Sequence, residues 1–397
     1  MDQIASQVAR ESKAMTRQEV IKKAVEGAIS WVQAADILQV TARHLRRLRE
    51  RYVHHGFFGL RDGRRDWTRP RRLSTEVVEE ICRLKREVYP DFSVRHFHEF
   101  ATEKHGLEVS YTWTKEVLQM RGLAEKAPGR GQYRRKRERR PMVGMMLHLD
   151  GSTHEWLEGL PPQDLIVMLD DADGQVLFAR FFEQEGTLSS LTALKHVLVR
   201  FGRFSEFYTD RGSHFCRTDK AGEAPADEQH GQVSRVLRAL GIRHILARSP
   251  EARGRSERAF GTIQGRLPQE LRLAGIRSYR DANAYLEKVF VPDFNRRFTV
   301  APAQPDRAFT PLAGVDLELL LTAQHDRVVR NDNTVVFEKL ELQLPTTRHR
   351  IHFARCPVLV HQFLDGTLGV SFQGTLIASY DRAGVLLRKG ARAIQAA

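Results

Sequence analysis

The stretch Val143-Gly-Met-Met-Leu-His-Leu-Asp150 constrains the chain most. An apolar run of strand length ending in a carboxylate reads as a central strand covered on both faces, and in open α/β sheets chemistry collects where such strands end. The run breaks at Gly151-Ser152, so Asp150 is expected at the mouth of a buried strand.

Downstream, residues 165–169 and 176–182 read as short strands joined by the turn chemistry of residues 170–174. Residues 187–201 carry Leu191, Leu194, Val197 and Leu198 at helical spacing. A strand over 204–208 follows, with Asp210 just past its end. Then come a helix over 232–240, a strand over 243–246 and one long helix from about Gly254 to Leu271. The order β-β-β-α-β-α-β-α is that of a ribonuclease H-like fold, in which the first and fourth strands are neighbours. Asp150 and Asp210 then stand side by side, where two carboxylates repel unless a cation neutralises them. Magnesium suits such hard oxygen donors, and two ions about 3.5–4 Å apart clamp both oxygens of an in-line phosphoryl displacement. Glu257 is the third candidate. Ala259, Ile263, Leu267 and Leu271 are expected to form the buried face of its helix, leaving Glu257, Gly261 and Gln264 on the other side. Glu251, in Ser249-Pro250-Glu251, reads instead as a first-turn acid at a helix start. Asp170, Asp171 and Asp173 read as turn residues, and His148 as a packed histidine.

The chain as a whole is basic. Sixty-three Lys and Arg against 49 Asp and Glu leave a net charge of +14, and clustering at 43–51, 61–72 and 130–140 points to nucleic acid as the partner. Helices are expected over 16–27 and 30–38, then a turn at Gln39-Val40 and a third helix capped by Thr41 and running to Tyr52. Leu45, Leu48 and Tyr52 make its apolar face. Arg43, Arg46, Arg47 and Arg51 lie opposite, where a recognition helix meets DNA. A second three-helix unit is read at 73–88, 93–105 and 110–121, with Lys115 available for DNA, although a pure packing role is equally open. Residues 124–141 hold eight Lys or Arg, among them Arg134, Arg135, Lys136 and Arg137, and read as a linker lying along phosphates. Beyond a Pro-rich connector at 301–311, strands at 334–337, 340–344, 357–363, 367–372 and 375–380 predict a small β-barrel.

Cys82, Cys216 and Cys356 are too scattered for a disulfide framework or a zinc cluster. No apolar stretch approaches the roughly 20 residues of a membrane span, and nothing at the N-terminus resembles a signal peptide. A soluble protein of the cytoplasm is expected.

The motifs His148-Leu-Asp-Gly-Ser-Thr-His-Glu-Trp-Leu-Glu-Gly, Ile166-Val-Met-Leu-Asp-Asp-Ala-Asp-Gly, Ser249-Pro-Glu-Ala-Arg-Gly-Arg-Ser-Glu-Arg and Phe294-Asn-Arg-Arg-Phe-Thr-Val-Ala-Pro-Ala resemble insertion-sequence transposases of the retroviral-integrase (rve, DDE) superfamily, nearest the ISNCY group. The resemblance covers most of the chain. It implies a catalytic, metal-binding triad of Asp150, Asp210 and Glu257, and two Mg²⁺ or Mn²⁺ ions. It also implies binding of terminal inverted repeats, joining of a 3′-hydroxyl to target DNA, and a homo-oligomer on DNA. Two departures stand out: Arg211 replaces the Asn that often follows the second Asp, and residues 217–229 lengthen the interval to Glu257. The resulting expectation is a multidomain chain. It has helix-turn-helix units at 1–60 and 61–123, a basic linker at 124–141, an α/β ribonuclease H-like core at 142–300, a connector at 301–324 and a β-barrel at 325–397. A domesticated helix-turn-helix regulator with an inactive core and a ribonuclease H-type nuclease are the competing readings.

Overall fold

Hydroxyl side chains set the first helix starts. Ser30 Oγ accepts the Gln33 N–H at 3.2 Å while Gln33 Oε1 accepts the Ser30 N–H at 2.9 Å, and Thr41 Oγ1 accepts the His44 N–H at 3.3 Å. The computed structural model describes residues 17–60, 74–126, 138–215, 231–247, 254–312, 314–347 and 350–393. In it, residues 17–25 form α1, Trp31–Ile37 α2 and Ala42–His55 α3. Gln39 takes a positive φ of 52° in the tight turn between the last two. Val20, Ile21, Ala24, Ala34, Leu45, Leu48 and Leu60 form their core. The chain divides between Cys82 and Arg83 into two compact units.

The helices expected next are α4 (Thr75–Glu87), α5 (Val94–His105) and α6 (Tyr111–Met120). Ser93 and Ser110 cap the latter two, and Gly106 ends α5 in the left-handed region at φ 66°. In the second unit, α5 packs on helices of the central domain. Buried His96 bonds Glu270 at 3.1 Å, Arg266 reaches Glu99 at 2.7 Å, and Arg297 reaches both Glu99 and Glu103. The acidic face of α5 is thereby occupied by packing.

The central sheet has the order β3-β2-β1-β4-β5. β1 (Met146–His154) pairs antiparallel with β2 (Gln163–Asp170), β2 antiparallel with β3 (Val176–Phe182), and β1 parallel with β4 (Glu206–Thr209), which pairs parallel with β5 (Arg243–Leu246). Alternation sorts the two faces. Leu147, Leu149, Ile166 and Met168 pack under α7 (Thr187–Phe201) and α8 (Gln232–Ala239). Leu165, Val167 and Leu169 pack under α9 (Gly254–Gln264), α10 (Leu267–Leu273), α11 (Tyr279–Tyr285) and α12 (Val291–Phe298). Two expectations change here. β1 does not break at Gly151 but continues to His154. The single helix over 254–271 is two, parted at Gly265-Arg266, because Pro268 near the start of α10 has no N–H to carry the helix on.

The outer edge of β3 is closed by side chains. Asn295 accepts the Val176 N–H at 2.8 Å and donates to its carbonyl at 2.9 Å; Asn283 accepts the Phe181 N–H at 2.7 Å and donates to its carbonyl at 3.3 Å. Twelve residues of plain α-helix would set the two asparagines about 120° apart, but a π turn over Leu286–Phe290 inserts one residue and leaves about 20°. The turn falls where Val291 N–H bonds Leu286 O and Pro292 can donate nothing. On the strand, a register shift opposite Met168/Leu169 skips Leu177, so Val176 and Phe181 both turn their peptide groups outward.

Among the described residues the C-terminal strands do not close. β6 (Ala323–Val328), β9 (Pro357–Gln362), β10 (Leu368–Phe372), β11 (Thr375–Tyr380) and β12 (Leu386–Ala393) form one sheet of order β12-β11-β10-β9-β6, and β7 (Thr334–Phe337) pairs only with β8 (Leu340–Gln343). Val335, Phe337 and Leu342 of that hairpin share a core with Val358, Val360, Val370 and Tyr380, and Tyr380 Oη donates to Gln343 O at 2.8 Å. The expected barrel is therefore corrected to an open sheet covered by a hairpin, because the hairpin buries the apolar face that closure would have buried.

Candidate active site

The register of β1 on β4 relates the positions of the first two candidate carboxylates. Met146, Leu147 and His148 face Glu206, Phe207 and Tyr208 at one constant offset, and two residues further along the same offset sets Asp150 level with Asp210. Asp150 lies inside β1 and is 7% exposed; Asp210 is half-buried just past β4. Asp210 Oδ1 accepts the Gly212 N–H at 2.9 Å, a closed turn that a Cβ at Gly212 would crowd at 2.8 Å from His214. Behind it Thr209 Oγ1 and His244 Nε2 are 2.8 Å apart, and His244 Nδ1 meets Ser234 Oγ at the same distance. The Ser234 hydroxyl hydrogen goes to Phe215 O at 2.6 Å, which leaves Nδ1 as the donor of that pair. Burial pushes His244 down to about 4, so this ring is neutral.

Glu257 stands in the first turn of α9 and is exposed. Of the expected stripe, Ile263, Leu267 and Leu271 are buried and Ala259 is half-buried against the same core; Ser256 and Phe260 are buried as well. Two contacts fix how α9 lies on β1. At its far end Gln264 Nε2 donates to Ser152 Oγ at 2.8 Å. At its near end Arg255 donates to Asp171, which also accepts from His148 Nε2 at 2.7 Å. From Arg255 to Gln264 is nine residues of helix and from His148 to Ser152 four of strand, and both span ~13 Å. Glu257 sits seven residues before Gln264, two turns away and on the same face, so it is carried along the His148–Asp150 stretch. Among the described residues, no three His, Cys, Asp or Glu side chains stand close enough together to hold a metal ion. The structure thus brings Asp150 level with Asp210 and leaves the Glu257 carboxylate at the rim.

The turn after β2 carries more than turn chemistry. Asp170, Asp171 and Asp173 are all buried. Burial raises Asp170 to about 6, although it accepts the Gly144 N–H at 2.7 Å and the Ala172 N–H at 2.8 Å. Burial would raise Asp171 too, but bonds from His148, Arg255 and the Arg140 N–H outweigh it and hold that carboxyl well below the usual range. Sequence reasoning passed over Asp171. The one available signal was an Asp pair after an apolar strand, more acid than a turn needs.

Of the candidate DNA contacts, Arg43, Arg46, Arg47 and Arg51 are exposed on α3, opposite buried Leu45 and Leu48. Lys115 is half-buried on α6. Arg134, Arg135, Lys136 and Arg137 lie outside the described residues, as do residues 217–229 and Glu251. The described end of the basic linker is held by the second unit: Arg140 pairs with Glu206 at 2.6 Å, and Arg139 donates to Asp171 O at 3.1 Å.

Residues 16–71 match the helix-turn-helix domain family. The chain is 31% identical over 370 residues, 92% of its own length and 80% of the relative's, to transposase y4bF of Sinorhizobium fredii. It is 24% identical over 392 residues, 88% of this chain and 82% of the relative, to the transposase for insertion sequence IS1202 of Streptococcus pneumoniae. Among solved structures it is similar to the HTLV-2 integrase catalytic core domain in complex with magnesium, at 16% identity over 36% of this chain and 82% of that one, with a TM-score of 0.28. It is similar also to a chain of the simian T-cell lymphotropic virus intasome in complex with PP2A regulatory subunit B56 gamma, at 16% identity over 75% and 99%, with a TM-score of 0.33. The chain belongs to the insertion-sequence transposases. Among the described residues no helix is long and apolar enough to cross a membrane.

Proposed function

We propose that the protein is a DNA strand transferase of the retroviral-integrase superfamily with a ribonuclease H-like core, and that Asp150, Asp210 and Glu257 form its catalytic set. The observation that supports this reading is the β1–β4 register, whose offset, carried two residues past His148 and Tyr208, puts Asp150 level with Asp210. Carboxylate oxygens on adjacent strands are the hard donor set that Mg²⁺ or Mn²⁺ takes. Asp150 and Asp210 would hold the ions, with Glu257 completing the set from the rim. When bound, the ions supply charge neutralisation at the scissile phosphate.

The chain's own residues do the rest. Arg43, Arg46, Arg47 and Arg51 on α3 bind the terminal inverted repeats, and Lys115 with the basic linker residues Arg134, Arg135, Lys136 and Arg137 lies along phosphates. The buried strand under Asp150 fixes that carboxylate's direction, which a reaction made of positioning and electrostatics requires. In joining, a 3′-hydroxyl oxygen forms a bond to phosphorus as the bond to the leaving 3′-oxygen breaks, and the hydroxyl proton is lost to solvent. Handling two element ends together calls for a homo-oligomer on DNA.

The test is joining of a candidate end duplex to plasmid target in Mg²⁺. Asp150→Asn and Asp210→Asn should each abolish cleavage and joining while leaving DNA affinity and thermal unfolding unchanged. Substantial joining by either variant overturns the assignment.

A further inference from the structure

Resting on that reading of the site, we infer that Asp171 is its positioning residue: it ties the strand of Asp150 to the helix of Glu257. Asp171 is 1% exposed. Its carboxylate accepts from His148 Nε2 at 2.7 Å, from the Arg255 guanidinium and from the Arg140 N–H at 2.8 Å. Its N–H donates to Met146 O at 3.0 Å, and its carbonyl accepts from Arg139 at 3.1 Å and Arg255 at 3.3 Å. One residue therefore bonds β1, the first turn of α9 and the end of the basic linker.

The sequence offsets give these bonds their meaning. His148 lies two residues before Asp150, on the same face of β1, and Arg255 lies two residues before Glu257 in the same helical turn. Gln264 pins the far end of α9 to Ser152, so Asp171 is the second of two anchors and the one beside the carboxylates. Within the described residues, buried Ser256 and the Arg255–Asp171 bond together seat the first turn of α9. Breaking that bond leaves the apolar contacts of Phe260 and Ile263 in place and frees only the turn that carries Glu257. The buried His148–Asp171 pair does the same for β1, fixing the strand that presents Asp150 against Tyr208, whose ring lies 4.9 Å from that of His148.

The test uses the full chain and Mn²⁺ alone as probe, followed by electron paramagnetic resonance, with hydrogen exchange of residues 254–264 as a second readout. Asp171→Asn should weaken Mn²⁺ binding by about tenfold or more, as loss of a partner behind a ligand does, and speed exchange in the first turn of α9 while exchange over β9–β11 stays unchanged. Because Asp171 is buried, Arg255→Gln provides a variant that reaches the surface and breaks only the helix side of the link; it should reproduce both effects. Arg255→Lys should restore most of the affinity. Asp150→Asn is the control for the site itself. If that variant binds Mn²⁺ as tightly as the parent, the site is misread, and exchange in α9 alone then judges Asp171. Unchanged exchange in the first turn of α9 in both Asp171→Asn and Arg255→Gln overturns the positioning role, as does faster exchange spread evenly over the whole second unit.

Discussion

Asn295 bonds Val176 twice, accepting its N–H at 2.8 Å and donating to its carbonyl at 2.9 Å. A carboxamide has the donor and acceptor pattern of a peptide group, so this side chain and Asn283 stand where a further strand would otherwise add to β3. Val176 and Phe181 are both buried at 3%. Each Asn→Ala change strands a buried N–H and C=O, and should lower the unfolding free energy by about 1–3 kcal/mol. The double variant should also self-associate, because an unpaired edge templates pairing between copies. Urea unfolding and sedimentation velocity check the two effects, and a monodisperse double variant of parental stability would remove the edge-closing role.

How much of this was legible in sequence follows the range of the interaction. Ser30, Thr41, Ser93 and Ser110 announced their helices because capping is local, and residues 187–201 matched α7 because a helix period needs no partner. β6, reading Ala-Gln-His-Asp-Arg-Val, went unseen: it is an edge strand with a mixed burial pattern, and its pairing with β9 is set from far along the chain. α11 and α12 carried no clean period because a π turn shifts the phase between them. For the proposed site, Asp150, Asp210 and Glu257 could be chosen from element order and the family resemblance. Asp171 could not, since its partner Arg255 is 84 residues away. The stripe through Ile263, Leu267 and Leu271 was legible, but Ser256 was not, because a small polar residue there takes a core place that periodicity gives to apolar side chains.

The C-terminal sheet should lose stability on acidification. His361 is 1% exposed, with Nδ1 3.0 Å from Thr322 Oγ1 and Nε2 2.8 Å from Ser371 Oγ, and burial with Arg235 nearby pushes it down to about 4. A histidine depressed on folding is neutral in the folded chain and charged in the unfolded one between its two pKa values. Its contribution is therefore present above about 6.5 and lost as pH falls toward 4. Between pH 7 and 5 this one ring should account for about 2 kcal/mol of lost stability. Urea unfolding at both pH values, compared with His361→Gln, measures that share; an identical pH dependence in the variant would mean the ring titrates normally.

The recognition helix makes a salt-dependent prediction. Arg47 is exposed on α3 with Leu45 and Leu48 buried opposite. If it contacts a phosphate, Arg47→Ala should weaken end binding and flatten the slope of log K against log salt by about one unit. Fluorescence anisotropy across a salt series reads both. Parental affinity and slope would take this position out of the interface.

The third carboxylate is the sharpest discrimination, because two glutamates precede the body of α9. Glu251 lies outside the described residues. Glu257 is in a turn whose direction is set on both sides, by Arg255 on Asp171 and by Gln264 on Ser152. A carboxylate completing a metal set needs such a fixed direction, whereas a first-turn acid interacting only with the helix dipole is worth at most about 1 kcal/mol. Glu257→Gln should therefore cut strand transfer by more than about a hundredfold, beyond what loss of an outlying partner costs, and Glu251→Gln should retain most of it. Single-turnover joining of a labelled end duplex, at protein concentrations that saturate binding for each variant, ranks the two. The opposite ranking would move the third ligand to Glu251 and make α9 a support for the site rather than part of it.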